Sequence, residues 1–147
     1  MPDLTKKYSL NEAYPVYLPN RIRLSDGTTK TDRTTFTDAD LTDAGYTGPY
    51  EVEPSEEDFS NRRKNISFNT TDGWVVTWKS YDELSAILNN EKQYILSETD
   101  WTQLPDADLT EEKKAEYTTY RQAVRDYVTN ATTEDLRNPT WPTKPSE

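Results

Sequence analysis

The chain has 147 residues, enough for one domain or two small lobes, and it carries a net charge of -10 with no cysteine and no histidine. This inventory excludes disulfides, thiolate zinc sites and a histidine general base, and the acidic charge argues against a nucleic-acid partner. No apolar run approaches bilayer length and the first residues lack a signal-peptide core, so we expect a soluble protein made in a cytoplasm, without a membrane partner. Ten tyrosines and four tryptophans, set against a hydrophobic content of 32%, predict thin cores rich in aromatic side chains.

Residues 1–20 are polar and are interrupted by Pro15 and Pro19, which disfavour helix and predict an extended arm. Three tyrosines could anchor this arm, namely Tyr8, Tyr14 and Tyr17. Two alternatives stay open: the arm is loose, or it docks on a partner or sister subunit through its tyrosines.

Residues 21–79 predict a β-rich lobe that begins with a hairpin turned at Asp26-Gly27. A short helix follows, capped by Thr37 and stopped at Gly45. Its acidic residues lack the ligand spacing of a calcium loop, so we expect no metal there. A short strand is expected at residues 50–54.

A second hairpin is the strongest β signal in the sequence. Residues 65–69 alternate polar and apolar side chains, residues 70–73 supply a turn, and residues 74–78 return. We expect Trp74 and Trp78 in a core, and the alternative is an exposed aromatic contact patch.

Residues 80–129 predict a helical hairpin. Helical spacing of apolar residues runs from 81 to 97, with Ser80 or Asp82 as the cap. The second helix follows Thr110 or Asp108 as cap. Its expected apolar stripe comprises Tyr117, Tyr120, Ala123, Val124, Tyr127 and Val128, with Arg121 and Arg125 on a flank, where Arg121 could contact Tyr117.

The connection between these helices is too rich in Pro and Asp for helix. We expect Trp101 and Leu104 to plug the open end between the two helices, with Pro105 turning the chain out of the plug.

Residues 130–147 show no helical period, and three prolines predict an extended, polyproline-like tail. The large apolar group of this tail is Trp141, which either straps back over the chain's own helices or enters a partner pocket. The candidate anchors, structural or partner-binding, are Trp101, Leu104, Pro105, Tyr117, Tyr120, Trp141 and Pro142.

Together these elements predict an α+β protein, with a small N-terminal β-rich lobe of hairpins plus one short helix. A C-terminal two-helix hairpin with a Pro-rich extended tail follows. No catalytic residues, cofactor or metal are expected, because Ser and Thr nucleophiles would lack a histidine base and no Gly-rich phosphate loop exists. A hydrolase acting through paired carboxylates remains a remote alternative.

Three segments of the C-terminal half carry a family resemblance: D-W-T-Q-L-P-D-A at residues 100–107, K-x-A-x-Y-x-x-Y-R-Q-A-V-R-D at 113–126 and N-P-T-W-P-T-K-P at 138–145. In combination they resemble the phage tail assembly chaperone-like, or tail-fibre assembly, protein family. Members usually have a helix before the W-T-Q-L-P element, where residues 81–97 fit. Tyr117 stands where members often have Trp, and residues 127–137 depart from the pattern. The N-terminal half looks more loosely like small accessory proteins of marine and cyanobacterial phages.

The resemblance implies binding of phage tail, fibre or baseplate proteins in the host cytoplasm during assembly, without chemistry. The first hypothesis is therefore a tail or tail-fibre assembly factor that binds a structural subunit. The second is a structural accessory component of the tail, fibre or baseplate that is retained in the virion. Association with further copies of this chain is left open.

Overall fold

The structure is a computed structural model that describes residues 1–50 and 53–146. The chain forms two compact units, Met1–Thr77 and Trp78–Glu147. Strands dominate the first unit and long helices the second, so the predicted α+β class is confirmed.

Short strands and two short helices build the N-terminal unit. The strands are β1 (Lys7–Leu10), β2 (Val16–Tyr17), β3 (Ile22–Arg23), β4 (Thr29–Lys30), β5 (Tyr46–Tyr50), β6 (Lys64–Asn69) and β7 (Gly73–Trp78). The helices are α1 (Asp38–Asp43) and α2 (Glu56–Ser60). Three sheets result, with strand orders β2-β1-β5, β3-β4 and β6-β7, so both predicted hairpins are present.

Residues 1–20, expected to form an extended arm, contribute β1 and β2 to the three-stranded sheet instead. In this sheet β1 pairs antiparallel with both neighbours. Tyr8 and Leu18 are buried in the core of the unit with Ile22, Phe36 and Leu41. The prolines favour extended chain, which serves a strand as well as an arm, and burial of Tyr8 then holds the segment in place.

The α1 helix begins and ends as its sequence predicts. Thr37 accepts a hydrogen bond from the backbone N–H of Asp40, and the Asp40 carboxylate accepts one from the backbone of Thr37. Gly45 follows the helix with φ of 85°, a left-handed conformation that favours glycine. The strand predicted at residues 50–54 is partly outside the described residues: β5 ends at Tyr50, and residues 51–52 are not described.

Aromatic side chains cluster on the β6–β7 hairpin. Trp74 stacks on Tyr14 at 5.2 Å between ring centroids and meets Phe68 and Phe59 at 5.5 and 5.7 Å. Trp74 is only half-buried, because Tyr14 and Phe59, which flank it, are themselves 61% and 58% exposed. Trp74 is therefore packed, as expected, but within a surface cluster rather than a closed core. Trp78, the last residue of β7, is the first residue of the C-terminal unit, and its ring is 5.5 Å from the guanidinium of Arg137.

Three helices form the C-terminal unit: α3 (Tyr81–Ser97), α4 (Glu111–Thr129) and α5 (Thr133–Arg137). Both long helices carry the predicted caps, Ser80 and Thr110. No helix in the described part of the chain is long and apolar enough to cross a membrane.

The third helix corrects the prediction that residues 130–147 are extended throughout. Thr132 caps α5: its Oγ1 accepts from the backbone N–H of Asp135, and the Asp135 carboxylate accepts from the backbone N–H of Thr132. Leu136 is buried against Leu84 and Leu88 of α3. A helix of five residues is too short to show an apolar period. The sequence signs of α5 are the capping pair Thr132 and Asp135 and the apolar Leu136 that follows.

Candidate functional site

Trp101 and Leu104 do not plug the end of the helical hairpin. They lie on a 3-10 turn (Asp100–Gln103) and just after it, and they are 43% and 54% exposed. The Trp101 ring leans towards Tyr117 of α4, with 6.1 Å between centroids, and Pro105 is also exposed. The plug prediction is therefore wrong for both large side chains.

Small polar residues and an arginine close this end instead. Arg121 is only 7% exposed, and its Nη1 donates to the carbonyl oxygen of Leu96 at 2.6 Å and to Thr99 Oγ1 at 2.8 Å. Its Nη2 donates to Asp100 Oδ1 at 2.7 Å. Thr102, also buried, donates to the carbonyl oxygen of Thr99 at 2.7 Å.

These bonds explain why Trp101 is displaced. The last carbonyls of a helix lack partners within the helix and require donors, which an indole ring cannot supply at several points. Arg121 offers five donors, so it can bond several groups at once while its stem packs in the interior. At the Leu96 carbonyl it joins the backbone N–H and the Oγ1 of Thr99, which also donate there. The sequence predicts Arg121 on a flank of the helix, in contact with Tyr117, and gives no sign of this role.

The tyrosines predicted on α4 are in the core of the unit. Tyr117, Tyr120 and Val124 pack with Leu96 of α3. Burial raises the pKa of the Tyr120 hydroxyl above its usual value, with the charge of Glu98 as a smaller cause. This stripe therefore holds the two helices together.

Residues 138–146, which we call the strap, pack on the helices of the same unit. Trp141 packs on both core clusters of this unit, the one around Leu96 and Tyr117 and the one around Leu136. Its ring centroid is 5.2 Å from that of Tyr127. The Tyr127 hydroxyl accepts from the backbone N–H of Thr140 at 2.9 Å. At the far end, Lys113 Nζ donates to the carbonyl oxygen of Ser146 at 2.8 Å. Within the single chain, the strap therefore packs on its own helices, which is the first of the two predicted alternatives.

An open groove of about 770 Å³ runs between α4 and the strap. One wall is a face of α4, and the other consists of strap residues. Among the lining residues, Tyr120 is buried and Pro142 is half-buried. The lining residues are Glu112, Ala115, Glu116, Thr119, Tyr120, Ala123, Pro142, Thr143 and Pro145. The groove is mostly apolar, with two carboxylates at one end.

A second cavity, of about 690 Å³, opens beside the end of α3. Charged and polar side chains line it, including Lys92, Asp100, Arg121 and Arg125. Arg121 and Asp100 are already bonded to each other, so this cavity has fewer free groups than its lining suggests.

The structure thus brings four of the predicted anchors together, Tyr117, Tyr120, Trp141 and Pro142, around α4 and the strap. Trp101 lies at the edge of this group, and Leu104 and Pro105 stay apart from it at the surface. Within residues 1–50 and 53–146, no cluster of three or more potential metal ligands was found. What this arrangement offers chemically is an apolar surface with an acidic end.

Comparison with known families places this site in context. Residues 86–146 match the family described as phage tail assembly chaperone protein. The match spans most of α3, all of α4 and α5, and the strap, which is less than half of the chain. Comparison with curated proteins and with solved structures found no match. The C-terminal unit is therefore similar to phage tail assembly chaperone proteins, as its motifs indicated, and this similarity supports a role in phage tail assembly.

Proposed function

We propose that this protein is a phage tail or tail-fibre assembly factor that binds a structural subunit through its C-terminal unit and catalyses no reaction. The observation that carries the proposal is the family match over residues 86–146, which lies within one compact unit of the chain. This unit presents an open apolar groove beside the strap, a surface suited to binding another protein.

The chemistry of the chain supports a binding role. It has no histidine and no cysteine, so a hydroxyl nucleophile would have to rely on another base. The guanidinium of Arg121, the most buried charged group of the C-terminal unit, is engaged in hydrogen bonds that close the end of α3. Its role is structural.

Acidic charge fits the same proposal. A net charge of -10 keeps copies of the chain apart and steers encounter towards basic patches on a partner. Both effects would favour a complex with a partner subunit over association between copies of this chain.

The test is purification of the full chain, tagged at its N-terminus, from infected host cells during assembly. We expect one tail or tail-fibre structural protein to be recovered in a fixed ratio. A matched purification of a variant with a disrupted C-terminal unit, Tyr117→Asp, should lose this protein. If the tagged chain recovers no tail protein above the untagged control, the proposal fails.

Retention in the virion is the alternative outcome, and mass spectrometry of purified particles separates the two roles. A transient assembly factor should be missing from finished particles although it binds the subunit in the lysate. Stoichiometric presence of this chain in particles would instead identify an accessory component of the tail.

A further inference from the structure

The groove between α4 and the strap has a chemistry that defines the occupant it could take. Ala115, Ala123 and the two prolines of its lining are small or apolar, and Thr119 is exposed at its centre. Apolar surface that stays open in a protein of low hydrophobic content is a candidate contact surface.

The main chain around the groove offers few hydrogen-bonding groups. On the α4 side the backbone is helical and internally bonded, and on the strap side Pro142 and Pro145 have no N–H. The carbonyl oxygens of Pro145 and Ser146 already accept from Tyr117 and Lys113. An incoming β-strand would therefore find only the N–H groups of Thr143 and Lys144 between the two prolines, whereas a helix satisfies its backbone internally.

The length of the groove suits a helix of about three turns. From Glu112 to Ala123 the lining residues of α4 span about 16 Å, at a rise of 1.5 Å per residue. A partner helix of similar length would present apolar residues at i, i+3 or i+4, and i+7 to this lining.

Charge decides which kind of helix fits. Glu116 is paired with Lys113 at 2.9 Å, but the Glu112 carboxylate makes no ion pair or hydrogen bond with the described residues. A Lys or Arg on the partner, next to its apolar stripe, would form an ion pair with the Glu112 carboxylate. The net negative charge of the chain would also attract such a cation.

We propose that the α4–strap groove binds one face of a basic amphipathic helix from a phage tail structural subunit. This inference rests on the proposed function, because it names the chemistry and the seat of the partner bound by the same unit.

The test is site-specific photocrosslinking with the full chain. A photoreactive amino acid replaces Thr119 in the groove, and the matched control replaces Thr118, which is also exposed but points about 100° away around α4. We expect Thr119, and not Thr118, to crosslink to a tail subunit in infected cells. Mass spectrometry of the crosslinked peptide should show helical apolar spacing with Lys or Arg beside it.

A synthetic peptide of the crosslinked segment then tests the chemistry. Thr119→Arg should weaken its binding to the full chain about tenfold or more by filling the groove with a cation, while Thr118→Arg should change binding less than about twofold. Glu112→Lys should weaken binding several-fold at low salt and less at high salt, and Glu111→Lys, the matched reversal outside the groove, should have a smaller effect.

Several outcomes would overturn the inference. They are a crosslink from Thr119 to a second copy of this chain, a crosslinked segment that is acidic or extended, and equal effects of Thr119→Arg and Thr118→Arg. If the tail subunit co-purifies but never crosslinks from Thr119, the groove assignment fails while the proposed function stands. If no tail subunit co-purifies, the proposed function itself fails.

Discussion

Arg121 of α4 holds the end of α3 through Leu96, whose carbonyl oxygen accepts a hydrogen bond from the Arg121 Nη1 at 2.6 Å. The donor and the acceptor are 25 residues apart in the chain, and both residues are buried. This single side chain therefore links the two long helices by polar bonds where an apolar plug was expected.

Replacing Arg121 with methionine should lower the free energy of unfolding of the C-terminal unit by about 3 kcal/mol. The stem would still pack, but the Leu96 carbonyl and the Thr99 hydroxyl would lose a charged donor while remaining buried. The measurement is urea unfolding followed by the helical circular dichroism signal. Arg125→Met is the control, since Arg125 is exposed one turn later on α4, and it should cost within about 0.5 kcal/mol. Equal costs for the two variants would contradict this account of Arg121.

The two tryptophans of the family motifs should differ in their contribution to stability. Trp141→Ala should cost about 3 kcal/mol, because its ring packs on both core clusters. Trp101→Ala should cost only about 1 kcal/mol, because 43% of Trp101 is exposed. Thermal unfolding of both variants provides the comparison. A larger loss of stability for Trp101→Ala than for Trp141→Ala would show that Trp101 does close the end of the helical hairpin.

Leu136→Ala should cost about 3 kcal/mol and should release α5 from α3, because Leu136 is buried against Leu84 and Leu88. Leu104→Ala removes the same atoms from an exposed position and serves as the control, with an expected cost below about 1 kcal/mol. Hydrogen exchange of the α5 amides should accelerate in the first variant alone. Unchanged exchange there would show that Leu136 does not hold α5.

Acid should destabilise the N-terminal unit in a defined range of pH. Hydrogen bonds from Lys30 and then from Thr37 hold the pKa of Asp40 at about 2, below its usual 3.8. Because the folded-state pKa is depressed, the stabilisation is complete above about pH 4 and is lost as the pH falls towards 2. The difference in thermal midpoint between the natural chain and Asp40→Asn should therefore shrink across this range.

The control for this titration is Asp106→Asn, a substitution in an exposed turn of the other unit. Its midpoint should follow that of the natural chain at every pH. If the difference for Asp40→Asn stayed constant from pH 5 to pH 2, the Lys30–Asp40 pair would not stabilise the fold.

Local patterns account for what could be predicted of this fold. Helix α3 begins and ends at the predicted residues, because apolar spacing and the Ser80 cap are both properties of neighbouring residues. The β6–β7 hairpin likewise follows from alternation around a short turn. The resemblance of the C-terminal half rested on three short motifs, and the family match over residues 86–146 confirms it.

Side-chain placement at the site was harder to predict, because it depends on competition between residues far apart in sequence. The sequence predicts Trp101 at the end of the hairpin and Arg121 on a flank of α4, because hydrophobicity alone favours Trp101 there. The end of α3 reverses this preference, because three acceptors lie close together there and the guanidinium of Arg121 donates to all three. The sequence did offer one signal of a polar helix end, namely Thr99 and Thr102, two small polar residues that follow the predicted end of α3.

The sequence by itself determined the class of the protein, its two long helices, its hairpins and its family resemblance, because caps, turns and periodicity act over a few residues. Only the tertiary structure decided that Tyr8 and Leu18 are buried in a core, that Arg121 replaces Trp101, and that Trp141 packs on its own helices. Burial depends on which distant side chains compete for one space and which polar groups there need partners, and neither is written in a local pattern.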